Sequence, residues 1–333
     1  MTGSGREVDE RRAQPGSRRY RATSYRATTG ERVVPPHPSH VDLHTHSSRS
    51  DGVLEPEALV DAAAAAGIAV LALSDHDTLA GVRELCAAGH DPLPLQLVPA
   101  VEINSVAAGI DSLWEGELHI LGLGVDPDDG QFETALERQR TSRVTRFRRI
   151  VERLSRLGFA INRQVDEYLA TAGAAPGASL GRPQIARCLV AAGHAASVDD
   201  AMRRLLARGR PAYVARDGLG PREAISAIRA AGGLPSLAHF ADAARRHDLV
   251  SELKAAGLAG LEVHYRHFDA ATVADLGQLA RAMGLVQTGG SDYHGDEESY
   301  AQAHSNLYVP DEDATTLLEY LGRPTAGSGS ASS

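Results

Sequence analysis

Short apolar runs rich in Val, Leu and Ile alternate along this chain with segments whose apolar positions recur at helical spacing. The runs His40–His46, Val70–Asp75, Leu95–Ile103, Leu118–Val125, Leu234–Phe240, Leu261–Tyr265 and Leu285–Ser291 read as strands. Helical patterns lie between most of them, over Glu55–Ala66, Leu79–Ala88, Pro221–Ala231, Asp242–Ala256 and Ala270–Met283. Repeated strand-helix units predict parallel strands joined by right-handed crossovers, here an α/β fold with a closed or nearly closed barrel.

The repeat breaks once. Residues 126–220 read as helix without a convincing strand, led by Glu133–Leu157, with Leu136, Val144, Phe147, Ile150, Val151 and Leu154 as apolar positions and an Arg-rich remainder that reads as a solvated face. Shorter helices are expected over Pro183–Ala192 and Val198–Ala207. An insertion at the C-terminal end of a strand stands over the active face of a barrel, so residues 126–220 are expected to form a helical cap domain. The barrel then comprises 38–125 and 221–322. Residues 1–37, rich in Arg, Ser, Thr and Gly, read as a disordered arm, and 323–333 as a flexible tail.

Composition narrows the classes. Hydrophobic residues make up 43% and aromatic ones 5%, enough for a core of Leu, Val, Ile and Ala. A formal net charge of -9 argues against a footprint on long nucleic acid, which needs clustered Lys and Arg. The longest apolar stretch, Ala62–Leu73, is broken by Gly67 and falls short of the ~20 residues of a membrane span. Glu7, Asp9 and Glu10 speak against a secretory signal, with an organelle transit peptide as the alternative. Cys86 and Cys188 are far apart in helical contexts, so neither a disulfide framework nor a thiolate zinc site is indicated, and a cytoplasmic location is expected.

The chemistry is carried by His44, His46, His76, His119, His239, His264 and His294, all at or near strand ends, with acidic residues beside them. Residues two apart in a strand point the same way, so Asp42, His44 and His46 are expected to face the barrel interior together. An isolated His-x-His is a weak signal, with two solvent-facing histidines on an edge strand as the alternative reading. Recurrence of Asp51, His76, Glu102, His119, His239, Asp292 and His294 at corresponding places tips the balance to metal, because burying such groups otherwise leaves charges unpaired.

The phrases VDLHTHSSRSDG, ALSDHDT, VEI, HILGL, LAHF and GGSDYH, spanning Val41 to His294, resemble the polymerase and histidinol phosphatase (PHP) family. The resemblance implies a distorted (β/α)7 TIM-like barrel and a centre of three divalent transition-metal ions, Mn, Fe or Zn. His44 and His46 would bind one ion with Glu102 and Asp292. Glu102 would bridge to a second, held by His119 and His239, and Asp51, His76 and His294 would hold the third. The chain looks most like bacterial phosphoesterases that remove the 3′-phosphate of nucleoside 3′,5′-bisphosphates, some of which also trim short oligoribonucleotides. The expected reaction is attack of metal-bound hydroxide on a phosphate monoester of a small metabolite.

Catalytic roles are assigned on this basis to Asp51, and to His264 and Asp77 as candidates for the group that protonates the leaving oxygen. Asp77 reads equally as a turn residue or a partner of the ligands. Arg182, in a Gly-Arg-Pro phrase, and His264 are the candidate substrate contacts, while Arg210 reads as surface. Three departures stand out: Ala238-His239-Phe240 where many members have Ala-His-Pro, His264-Tyr265-Arg266-His267 where Tyr commonly precedes His, and a long segment Val106–Trp114. Histidinol-phosphate phosphatase and a non-catalytic metal-binding module are the alternative functions.

Overall fold

The computed structural model describes residues 39–87, 94–107, 116–171, 175–295 and 298–322. The expected arm and tail, and most of the segment Val106–Trp114, lie outside these. Seven strands pair in chain order: β1 Val41–Thr45, β2 Val70–Leu73, β3 Gln96–Val106, β4 Glu117–Leu123, β5 Leu234–Leu237, β6 Gly260–Tyr265 and β7 Val286–Gly290. Beyond the ends of β1 and β7 the ring is drawn together by Asp292 N donating to His44 O at 2.8 Å and His46 N donating to Tyr293 O at 3.0 Å. The result is a nearly closed barrel of mixed α/β character.

Alternation in the strands separates two apolar layers. Val41, Leu43, Val70, Ala72, Val98, Ala100, Leu121, Leu123 and Leu234 form one cluster, drawn from five strands, which fills the barrel. Leu71, Leu73, Val101, Ile103, Ile120, Leu237, Leu261 and Val263 face the other way. They pack on α1 Pro56–Ala65, α2 Ala80–Ala87 and further helices introduced below. Each such aliphatic contributes roughly 1.5–3 kcal/mol on leaving water.

One expectation is corrected. β4 runs antiparallel to both β3 and β5, with Glu102 opposite Leu121 and Asn104 opposite His119. Only ten residues, 107–116, separate β3 from β4, fewer than the roughly a dozen or more that a parallel crossover needs, in keeping with the antiparallel pairing. The insertion therefore leaves β4 at the end of the barrel away from the histidines. It returns along α3 Gly130–Arg156, whose 27 residues at ~1.5 Å each span about 40 Å. Phe132 and Leu136 near the start of α3 pack on the outer barrel layer, whereas Phe147, Ile150 and Leu154 near its end join a separate cluster.

That second core also holds residues of α4 Asn162–Ala170, α5 Arg182–Ala191, and α6 Val198–Ala201 with its π-helical continuation Met202–Leu206. The chain re-enters the barrel through α7 Pro221–Ala230. The expected helix Asp242–Ala256 is split into a 3₁₀ turn, Ala241–Arg245, and α8 His247–Ala255. After α9 Ala270–Met283 and β7 come two helices that the pattern did not single out, α10 Tyr300–His304 and α11 Asp311–Tyr320. Ala314, Leu317 and Leu318 of α11 join the inner cluster. Among the described residues no helix is long and apolar enough to cross a membrane.

Candidate metal centre

Strand register brings the ligands together, and two irregularities refine their aim. Pairing of β1 with β2 shifts between Asp42 and Thr45. The simple alternation of Asp42, His44 and His46 therefore fails: Val41 and Leu43 face inward, while Asp42 accepts from Ser291 N at 2.9 Å, Ser291 Oγ at 2.6 Å and Tyr300 Oη at 2.8 Å. After the shift His44 and His46 enter the centre. A second shift lies in β6 between Glu262 and His264. Bulges re-aim side chains in this way beside active sites. Strand ends also turn sharply: His239 and Asp292 adopt left-handed backbones, with φ of 31° and 50°.

Glu102 lies at the middle. Its Oε2 is 3.3 Å from both His44 Nε2 and His46 Nε2 and 3.0 Å from His76 Nδ1. Its Oε1 is 2.7 Å from His119 Nδ1 and 3.0 Å from His239 Nε2, which are themselves 3.1 Å apart. Asp292 Oδ1 lies 3.4 Å from His44 Nε2 and 3.2 Å from His46 Nε2. Asp51 completes another group, with Oδ1 3.2 Å from His294 Nε2 and Oδ2 3.5 Å from His76 Nε2. Eight of the nine expected ligand residues thus fall in three overlapping groups that share His46, His76 and Glu102, and the ninth, His239, stands 3.0 Å from Glu102 Oε1.

The donor set fits divalent metal. His44 Nε2, His46 Nε2, His76 Nδ1, Asp51 Oδ1, Glu102 Oε2 and Asp292 Oδ1 are all buried without a hydrogen-bond partner. Orphaned buried donors and acceptors are costly, and six aimed at common points call for something to fill them. Atoms bound ~2.1 Å from one ion stand about 3.0–3.4 Å from each other, the separation seen around Glu102 and Asp292. Electrostatics agree. Burial opposes charge on His46, yet the Asp292 and Glu102 carboxylates beside it raise its pKa to about 10. Burial likewise works against an ionised Glu102, but His119, His76 and His44 hold it well below the usual carboxylate range. Cations in this centre would displace protons from the imidazoles.

Beside the ligands lies a buried charge cluster. Asp77, left-handed at φ 52°, accepts from Arg143 Nε and Arg216 Nη2, each at 2.5 Å, and from Gln139 Nε2 at 3.2 Å. Burial raises its pKa, but the two guanidiniums outweigh this and bring it down to about 2. Glu117 lies 3.3 Å from Arg146 Nη2 and 3.9 Å from Arg182 Nη2. Against burial, Arg182 and Arg146 lower its pKa to about 2. Four arginines thus surround two carboxylates. Glu117 is two residues before His119 on β4, so the cluster adjoins the ligands on the same face, about 7 Å along the strand. His264 lies elsewhere: across the β6 bulge, its Nε2 meets Asp313 Oδ2 of α11 at 2.8 Å. Arg210 is exposed.

The PHP domain model matches residues 42–157. A 5′-3′ exoribonuclease Rnm of Salmonella typhimurium is 35% identical over 270 residues, 76% of this chain and 84% of that one. The chain belongs to the PHP family. Another relative, a 3′,5′-nucleoside bisphosphate phosphatase of Chromobacterium violaceum, is 30% identical over 277 residues, covering 78% of this PHP chain and 89% of the relative. Among solved structures, a Bifidobacterium adolescentis chain assigned as a metal-dependent phosphoesterase superposes with a TM-score of 0.73 at 30% identity, over 85% of this chain and 98% of that one. The PHP chain described here is a phosphoesterase, a hydrolase of phosphoric ester bonds.

Sequence reading of this PHP protein missed Glu262. Fully buried, it sets Oε1 3.0 Å from His44 Nδ1 and accepts at Oε2 from His239 N at 2.6 Å, so it orients candidate ligands from two strands. Its signal was an acid inside the apolar run Leu261–Val263, which a strand buries only for a partner. A carboxylate on the far nitrogen of a ligating imidazole fixes its tautomer and typically contributes 10–100-fold to metal affinity. Glu262→Gln is expected to weaken Mn binding by about that factor. Titration with a competing chelator checks this, and unchanged affinity removes Glu262 from the centre. The α3 arginines need a correction too. Arg143 and Arg146 are buried, not solvated, since Arg143 shares the inward stripe of Leu136, Phe147 and Ile150.

Proposed function

We propose that this chain hydrolyses the phosphoester on the 3′-oxygen of a nucleoside 5′-phosphate. A nucleoside 3′,5′-bisphosphate would yield inorganic phosphate, and a 5′-phosphorylated short oligoribonucleotide would yield a mononucleotide. The leaving oxygen is the same in both, which reconciles relatives named for a bisphosphate phosphatase and for a 5′-3′ exoribonuclease. The observation that carries this reading is the arginine cluster beside the ligands, able to take the 5′-phosphate while the 3′-phosphoester lies at the centre. Guanidinium forks match phosphate oxygens bidentately. Histidinol phosphate, with a cationic amine, meets repulsion there.

In this reading His44, His46, Glu102 and Asp292 hold one ion, Glu102, His119 and His239 a second, and Asp51, His76 and His294 a third, of Mn, Fe or Zn type. Bound divalent cations would draw charge from the phosphate oxygens and lower the pKa of a water toward ~7. Arg182 orients the substrate through its 5′-phosphate. Asp77, ionised between two arginines, has no proton to give and secures the cap; His264 holds β6 to α11. Neither acts on the leaving oxygen in this proposal.

The test is a panel assay on Mn-loaded protein. We expect turnover of nucleoside 3′,5′-bisphosphates and 5′-phosphorylated short RNA, with histidinol phosphate far behind. A charge-assisted hydrogen bond of about 1.5–3 kcal/mol predicts that Arg182→Ala raises KM roughly 10–150-fold for 5′-phosphorylated substrates alone. Equal turnover with and without the 5′-phosphate overturns the assignment.

A further inference from the structure

The loop that carries Asp51 is gripped by the insertion. Three successive carbonyls, of Arg49, Ser50 and Asp51, each accept a hydrogen bond from the stretch Ser179–Arg187. Ser179 N donates to Arg49 O at 2.8 Å, Gln184 Nε2 to Ser50 O, and Arg187 Nη2 to Asp51 O at 2.5 Å. Gln184 is fully buried, and its own Oε1 is fixed by Gly181 N at 2.7 Å. From the barrel side Asp75 accepts from Ser47 N at 2.8 Å, Ser47 Oγ at 2.7 Å and Ser50 Oγ at 2.7 Å. Gly52 closes the turn so tightly that a Cβ there would stand 2.2 Å from His46 O.

From these contacts we infer that Gln184 and Arg187 are positioning residues for the metal centre. Helix α5 of the insertion sets the backbone of Asp51 and so completes the group His46, Asp51, His76 and His294. The other members of that group follow β1, β2 and β7, and His294 is also tied to the Asp51 loop, its carbonyl accepting from Val53 N at 2.8 Å. Asp51 sits in a turn outside any strand, and its carboxylate reaches His76 and His294 only while the loop keeps this shape. The same helix begins with Arg182, whose guanidinium faces Glu117. One rigid element therefore spans the anion cluster and the Asp51 loop. The inference rests on the three-ion reading of the centre given above.

The experiment compares full-length wild type, Arg187→Met, Gln184→Met, Arg187→Lys and Asp51→Asn. Each is loaded with Mn, dialysed, and followed by elemental analysis of bound Mn, by chelator competition and by thermal unfolding. Asp51→Asn marks which ion depends on the carboxylate. We expect Arg187→Met and Gln184→Met to weaken that ion alone by about 10–100-fold, with the remaining Mn held as in wild type and Arg187→Lys partly restored. Variants that keep the Asp51-dependent ion at wild-type affinity overturn the inference, as does parallel loss of all Mn together with thermal stability. A wild type holding no ion that Asp51→Asn removes overturns the three-ion reading instead. Arg187 is only partly buried, so Arg187→Met decides the matter even if Gln184→Met does not fold.

Discussion

Glu102→Gln is expected to lower phosphoester hydrolysis by more than ~100-fold and to reduce the number of Mn ions held after dialysis. No other described side chain touches as many members of the centre: Glu102 stands within 3.3 Å of His44, His46, His76, His119 and His239. An amide there keeps the shape and loses the negative charge that would favour holding cations. It also turns an NH₂ toward nitrogens that need to face metal. The expected loss exceeds the 10–100-fold typical of an outer partner such as Glu262, because in the proposed centre Glu102 would itself be a ligand. Elemental analysis and an assay on a nucleoside 3′,5′-bisphosphate check both effects. Wild-type Mn content with wild-type turnover would remove Glu102 from the centre.

The second large effect concerns stability. Asp77→Asn removes the charge between Arg143 and Arg216 while both guanidiniums stay buried, and breaking a buried pair from one side costs about 3–5 kcal/mol. A pH signature accompanies it. The carboxyl titrates near 3.8 in an unfolded chain and at about 2 in the fold. A depressed pKa stabilises the fold fully above the unfolded value and loses that contribution as pH falls through the folded one. Wild type is therefore expected to lose part of its advantage over Asp77→Asn between pH ~4 and ~2. Denaturant unfolding at pH 7, 4 and 2.5 measures it. A gap that stays constant over this range would show that Asp77 works through shape and not charge.

Much of this was legible in the sequence, for physical reasons that also mark where legibility ends. The strands were visible because their alternate residues bury on two sides, as in Val70-Leu71-Ala72-Leu73, where Val70 and Ala72 fill the barrel and Leu71 and Leu73 meet helices. The candidate ligands were visible because imidazoles and acids interrupt apolar runs. The direction of β4 was not: a strand reads alike in either orientation, and only the short stretch between β3 and β4 hinted at a hairpin. Asp42 and His264 misled because a bulge shifts the parity of a strand by one, a change that residue types do not record. Arg143 and Arg146 misled because an arginine stripe looks solvated until the acids it meets, Asp77 and Glu117, are brought in from distant strands. The grip of Gln184 and Arg187 on the Asp51 loop goes through main-chain oxygens, which leave no trace in a one-letter string.

The positive φ angles of Asp77, His239 and Asp292 limit how this enzyme can drift over evolutionary time. Apart from glycine, Asn, Asp and His are the residues that enter that conformation most readily, whereas β-branched ones pay heavily in steric conflict. A duplicated copy freed from selection for hydrolysis would therefore still keep to a narrow alphabet at these three sites. Its decay would begin with Gly or Asn, not Val or Ile.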